Sequence, residues 1–182
     1  MRAALRFDSF GGTVLFGALA AIAWPAWALG LAALGFGTGL TGYLVAVSAV
    51  YAAGLAATPA RAMGAALWAL GFGAVVVLLA RDPADVAIGA ALAIGICRSG
   101  LLHTRRPARA LVLETVLLGA GLAAARLLAA PGLVGVSLAL WGFFLVQSLG
   151  FLVAGRVPQT DAPGGVDPFE YARGRALEIL DE

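Results

Sequence analysis

Lysine is missing from this chain, cysteine and histidine occur once each, and charged residues of both signs amount to 12%. Each scarcity excludes something. A soluble domain carries about a quarter of its residues as charge, so half that amount cannot cover a globule of 182 residues. The single cysteine, Cys97, excludes an internal disulfide and any multi-cysteine metal site, and is expected to pack as a small apolar residue. The single histidine, His103, stands beside two arginines and reads as a solvated loop residue; alone it supplies neither a haem pair nor a metal cluster. Glycine-rich phosphate loops, a nucleophile elbow and a zinc-protease helix pair are also absent from the sequence. No catalytic residue, metal or cofactor is therefore expected, and the chain is read as a non-enzyme. A formal net charge of +2 is not the signature of a nucleic-acid partner.

What is present is apolar. Hydrophobic residues make up 62%, mean hydropathy is +0.96, and Ser9 to Ala60 contain no charge. Apolar stretches of about 20 residues cross a bilayer, so the expected class is an all-α integral membrane protein. The exclusive use of Arg amid abundant Ala suggests a bacterial chain with GC-rich codons, located in the cytoplasmic (inner) membrane. Ala26-Trp27-Ala28 imitates a signal-peptidase site, but Asp8, Pro25 and two Trp argue against cleavage, and the first span is expected to be retained.

Proline, glycine and charge punctuate the rest. Residues 1–156 are predicted to form a six-transmembrane-helix bundle, with spans at about 10–32, 40–57, 62–80, 86–102, 108–129 and 133–155. Pro25 is expected to kink the first span or end its straight part. With six spans, Arg2, Arg6, Arg61, Arg105, Arg106, Arg109 and Arg156 share one side, against Arg81 and Arg126 on the other. That bias places both termini in the cytoplasm. A faint repeat is visible: Phe16–Ala23 resembles Ile88–Gly95, and Leu67–Gly73 echoes Leu140–Val146. Three spans per repeat would invert the second half, as in many transporters.

Intramembrane ionisable groups are the strongest local signals, because a charge in hydrocarbon needs a partner. Arg98 falls late in span four and Glu114 early in span five, each about 9–11 Å inside the loop that joins them. An Arg98–Glu114 ion pair clamping that hairpin is predicted. Arg126, near the outer end of span five, is expected to snorkel, towards Asp82 or Asp85. Gln147 and Ser148 sit mid-span in helix six, where they can bond to a neighbouring helix or, with Arg126, line a small polar cavity. Trp24 and Trp27 are expected at the outer interface.

The C-terminus changes character. Residues 157–166 read as a flexible Pro/Gly linker, and 167–182 as a short cytoplasmic amphipathic helix. Asp167 can cap it, Pro168 suits its first position, and Glu170 completes a capping-box pattern. Phe169, Ala172, Ala176, Leu177, Ile179 and Leu180 share one face. From Asp167 onward five acids face two Arg, which disfavours an anionic lipid surface. A partner protein's groove or the Arg105–Arg109 loop is the expected dock.

Beyond the lipid bilayer itself, a protein partner is therefore anticipated. The leading functional expectation is a non-catalytic inner-membrane accessory or scaffold protein. The alternative is a small transporter or channel built on Glu114 and Arg98 with Arg126 and Gln147.

Overall fold

The computed structural model describes residues 7–36, 39–56, 58–102 and 107–153. The predicted tail helix and its linker lie outside them. The described residues form six α-helices and no strand: α1 Phe10–Ala33, α2 Leu40–Gly54, α3 Pro59–Leu79, α4 Pro83–Leu102, α5 Pro107–Leu128 and α6 Leu133–Val153. Four are long and apolar enough to cross a membrane: α1, α3, α6 and the Leu111–Leu128 part of α5. Helix α2 is shorter, at 15 residues, and α4 carries Asp85 and Arg98, which lower its hydropathy.

Local chemistry fixes the boundaries. Ser9 caps α1 by accepting from the Gly12 amide, and Thr58 caps α3 with Pro59 at the first helical position. Asp82 accepts from the amides of Ala84 and Asp85, while Asp85 accepts from the Arg81 amide, so both carboxylates are spent on the start of α4. Helix α1 ends at Gly35, whose φ of +82° lets the Phe36 amide reach back to the Leu31 carbonyl and its own amide to Ala32. Those two bonds make a Schellman cap.

Pro25 does not end α1; the helix runs eight residues past it. Proline has no N–H, so the carbonyl four residues earlier, that of Ala21, loses its usual donor. The Ser137 hydroxyl of α6 supplies one at 2.8 Å. One turn of α1 is thereby satisfied from a neighbouring helix, as membrane interiors demand of every freed backbone group. The Tyr43 hydroxyl of α2 likewise donates to the Ala20 carbonyl.

Packing arranges α1, α6, α5, α4 and α2 in a ring, each against the next, with α2 touching α1 to close it. Helix α3 lies outside and packs only on α2 and α4. Of its residues only Ala69 and Gly73 are buried, while Leu67, Val75, Leu78 and Leu79 are exposed. The ring's interior is aromatic: Phe7, Phe16, Tyr51, Phe143 and Phe144 meet with centroids 4.7–6.1 Å apart. Such pairs contribute about 0.5–1.5 kcal/mol each beyond the area they bury. Trp24, expected at the interface, is instead 2% exposed and packs on Tyr43. Large apolar side chains face outward on every helix, which suits hydrocarbon and not water.

The helix contacts bear on the repeat. Exchanging α1, α2, α3 for α4, α5, α6 carries each contacting pair onto another contacting pair, except α2–α4, whose counterpart α1–α5 does not touch. Within the repeated segments, Gly17 and Gly89 occupy the same place. A Cβ on Gly17 would stand 2.5 Å from Phe144 of α6, and one on Gly89 would collide with Val76 of α3. Both glycines therefore permit the equivalent helix pair to close.

Candidate functional site: a buried ion pair shared by three helices

Arg98 and Glu114 meet as predicted from their depth. The Arg98 Nε donates to Glu114 Oε1 at 2.6 Å and Nη2 donates to Oε2 at 2.5 Å, a two-pronged contact of planar groups. Both residues are buried, at 2% and 3% exposure. The remaining arm, Nη1, donates to the Gln147 backbone carbonyl at 2.9 Å. One guanidinium thus joins α4 to α5 and α6.

Glycine makes the room. A Cβ on Gly150 would lie 2.7 Å from Leu117 Cδ1 and 3.5 Å from Arg98 Nη1. Gln147, one turn earlier on α6, sends its amide Nε2 to the Leu117 carbonyl at 3.0 Å. Its Oε1 is buried with no hydrogen-bond partner. Gln147 therefore belongs to the ion-pair site. Ser148 is fully buried and donates to the Leu145 carbonyl of its own helix.

A second polar chain adjoins the pair. The Thr13 hydroxyl donates to the Phe7 carbonyl at 3.0 Å and lies 3.1 Å from the Tyr51 hydroxyl. A hydroxyl has one proton to give, so Tyr51 is the donor to Thr13. The Tyr51 ring packs on Phe144, one turn before Gln147 on α6. With Thr13 on α1 and Tyr51 on α2, the buried polar groups touch every helix of the ring. In the sequence Tyr51 reads only as one of several scattered aromatics and Thr13 does not stand out, although a buried hydroxyl within a span is itself a signal for an interhelical bond.

Arg126 stands elsewhere. It is exposed in the last turn of α5, and neither Asp82 nor Asp85 pairs with it. It lines a cavity of about 450 Å³ between α2, α4, α5 and α6, whose other walls are apolar. Gln147 and Ser148 do not line it, and neither do Arg98 and Glu114. The deepest lining residues, Ile94, Phe143 and Phe144, sit one helical turn short of Arg98 and Gln147.

Chemically, the site is a charge pair whose strong donors and acceptors face each other. A buried charge alone would be costly; two charges in fork-to-fork contact, with the third arm on a carbonyl, offset that cost. Among the described residues no His, Cys, Asp and Glu group is arranged to hold a metal. No family model, no curated protein and no solved structure matches this chain.

Proposed function

We propose that the chain is a non-catalytic, six-span accessory or scaffold protein of the bacterial cytoplasmic membrane, with both termini in the cytoplasm. In this reading the bundle is an anchor, and residues 167–182 engage a partner protein or the chain's own Arg-rich loop. The observation that carries it is the closure of the Arg98–Glu114 pair. Both charges are buried and bonded, and the nearby cavity is apolar and stops a turn away. A conduit would need a polar route to Glu114; a clamp needs what is seen.

Three features support six spans. Short connections make successive helices antiparallel, and an even number of helices returns the chain to its starting side. Helix α4 has 20 residues, about 30 Å at 1.5 Å per residue, which matches the hydrocarbon thickness. Its one deep charge is neutralised by Glu114. Helix α2 is short enough to require local thinning or flanking apolar residues.

Affinity purification from native membranes tests the function, comparing the full chain with one cut after Arg156. A stoichiometric protein retained by the full chain and lost by the truncation is the expected result. Equal, solitary purification of both overturns the adaptor role. Topology has its own check, in a Cys97→Ala background with single cysteines at Arg61 and Asp82. An impermeant maleimide should label position 82 in intact spheroplasts and reach position 61 only after lysis.

A further inference from the structure

The cavity has a form that the scaffold reading does not use. Its mouth lies where α2 and α4 begin and α5 ends, at Leu40, Pro83 and Ala129, and its floor is Ile94, Phe143 and Phe144. From Pro83 to Ile94 along α4 is about 16 Å, close to half of the roughly 30 Å hydrocarbon layer. The cavity therefore runs the depth of one leaflet. Its volume, about 450 Å³, falls within the range of ligand pockets, roughly 300–1,000 Å³.

Its polarity is equally divided. Among the described residues Arg126 is the single charged or polar side chain lining it, and the rest are Ala, Leu, Ile, Val, Phe and Pro. Among the described residues Arg126 has no hydrogen-bond or ion-pair partner. The two carboxylates nearest in sequence to the mouth, Asp82 and Asp85, are engaged by backbone amides at the start of α4. A greasy slot one leaflet deep, with a free guanidinium at its rim, matches a molecule with an acyl chain and an anionic head.

We propose that this cavity holds one acyl chain of an anionic phospholipid, drawn from the leaflet opposite the Arg-rich loop, with its phosphate on Arg126. The chain replaces protein packing between α2, α4, α5 and α6, and the head meets a cation at headgroup depth. The inference rests on the six-span reading only in placing the mouth at a membrane surface.

The test uses the full-length protein in bilayers of phosphatidylglycerol carrying a diazirine at the end of one acyl chain. After photolysis, adducts are mapped by mass spectrometry. Adducts are expected on Ile94, Phe143 and Phe144, in excess of those on Ile96 and Val116, which face outward at comparable depth. Phosphatidylcholine with the same chain, or Arg126→Gln, should reduce floor labelling by about fivefold, the weight of one arginine at an anionic surface. Labelling confined to Ile96 and Val116 would overturn the acyl site while leaving the spans intact. Floor labelling indifferent to both lipid head and Arg126→Gln would overturn the anionic-head assignment. Absence of labelling on any helix would overturn the cavity and the spans together.

Discussion

Arg98 and Arg126 occupy neighbouring helices of one bundle and meet opposite surroundings. Arg98 is enclosed, with Glu114 across two arms and a carbonyl on the third. Arg126 is exposed at a cavity rim with no protein partner among the described residues. The difference lies in depth and in what stands opposite. A guanidinium enclosed in an apolar bundle is tolerated only if the fold builds its whole environment. One at a helix end can reach the interface on its own stem. An intramembrane arginine is therefore informative about structure where it is buried, and about ligands where it is not.

Substitutions separate the two regions, and the largest effect belongs to the buried one. Glu114→Gln leaves the Arg98 charge enclosed without its counter-ion, and breaking such a pair costs about 3–5 kcal/mol. Unfolding in detergent should show that loss, or the variant should fail to accumulate. Gly150→Ala comes next. Its methyl would press on Leu117 Cδ1 at 2.7 Å and on the guanidinium. Overpacking of this kind costs about 1–3 kcal/mol, readable in the same unfolding assay.

Gln147→Leu should be milder despite complete burial. It loses one interhelical bond, an interaction of about 0.6 kcal/mol in membrane proteins. It also removes an Oε1 that has no partner. A change below about 1 kcal/mol is expected, because the two effects oppose each other. Arg126→Gln should alter stability least, by under about 0.5 kcal/mol, as surface changes do. Its effect should show instead in which lipids remain bound. A large stability loss from Arg126→Gln would erase the contrast between the two arginines.

The sequence made much of this legible, and the reasons are physical. Charge-free runs and Pro/Gly breaks located the helices, because a bilayer filters composition before packing matters. Counting 1.5 Å per residue back from Arg105 and forward from Pro107 brought Arg98 and Glu114 to one depth. Three things stayed hidden. The partner of the Ala21 carbonyl freed by Pro25 depended on how α1 and α6 are rotated, which no periodicity in an almost wholly apolar helix reveals. Trp24 was read as an anchor from its type, yet its rotational position turns it onto Tyr43. The cavity's place and apolar lining stayed hidden because voids follow from side-chain volumes across four helices, and Ala at positions 84, 87, 90, 91, 125 and 139 leaves the space.

In the proposed function Arg98 and Glu114 clamp the bundle and carry nothing through it. A double-mutant cycle with Arg98→Leu, Glu114→Leu and the pair together, read as unfolding free energy in bicelles, addresses it. Each single variant should lose about 3–5 kcal/mol, and the double variant should recover most of that, since replacing both charges with apolar residues is often neutral. Single variants that fold as well as the parent, with additive effects in the double, would contradict the clamp.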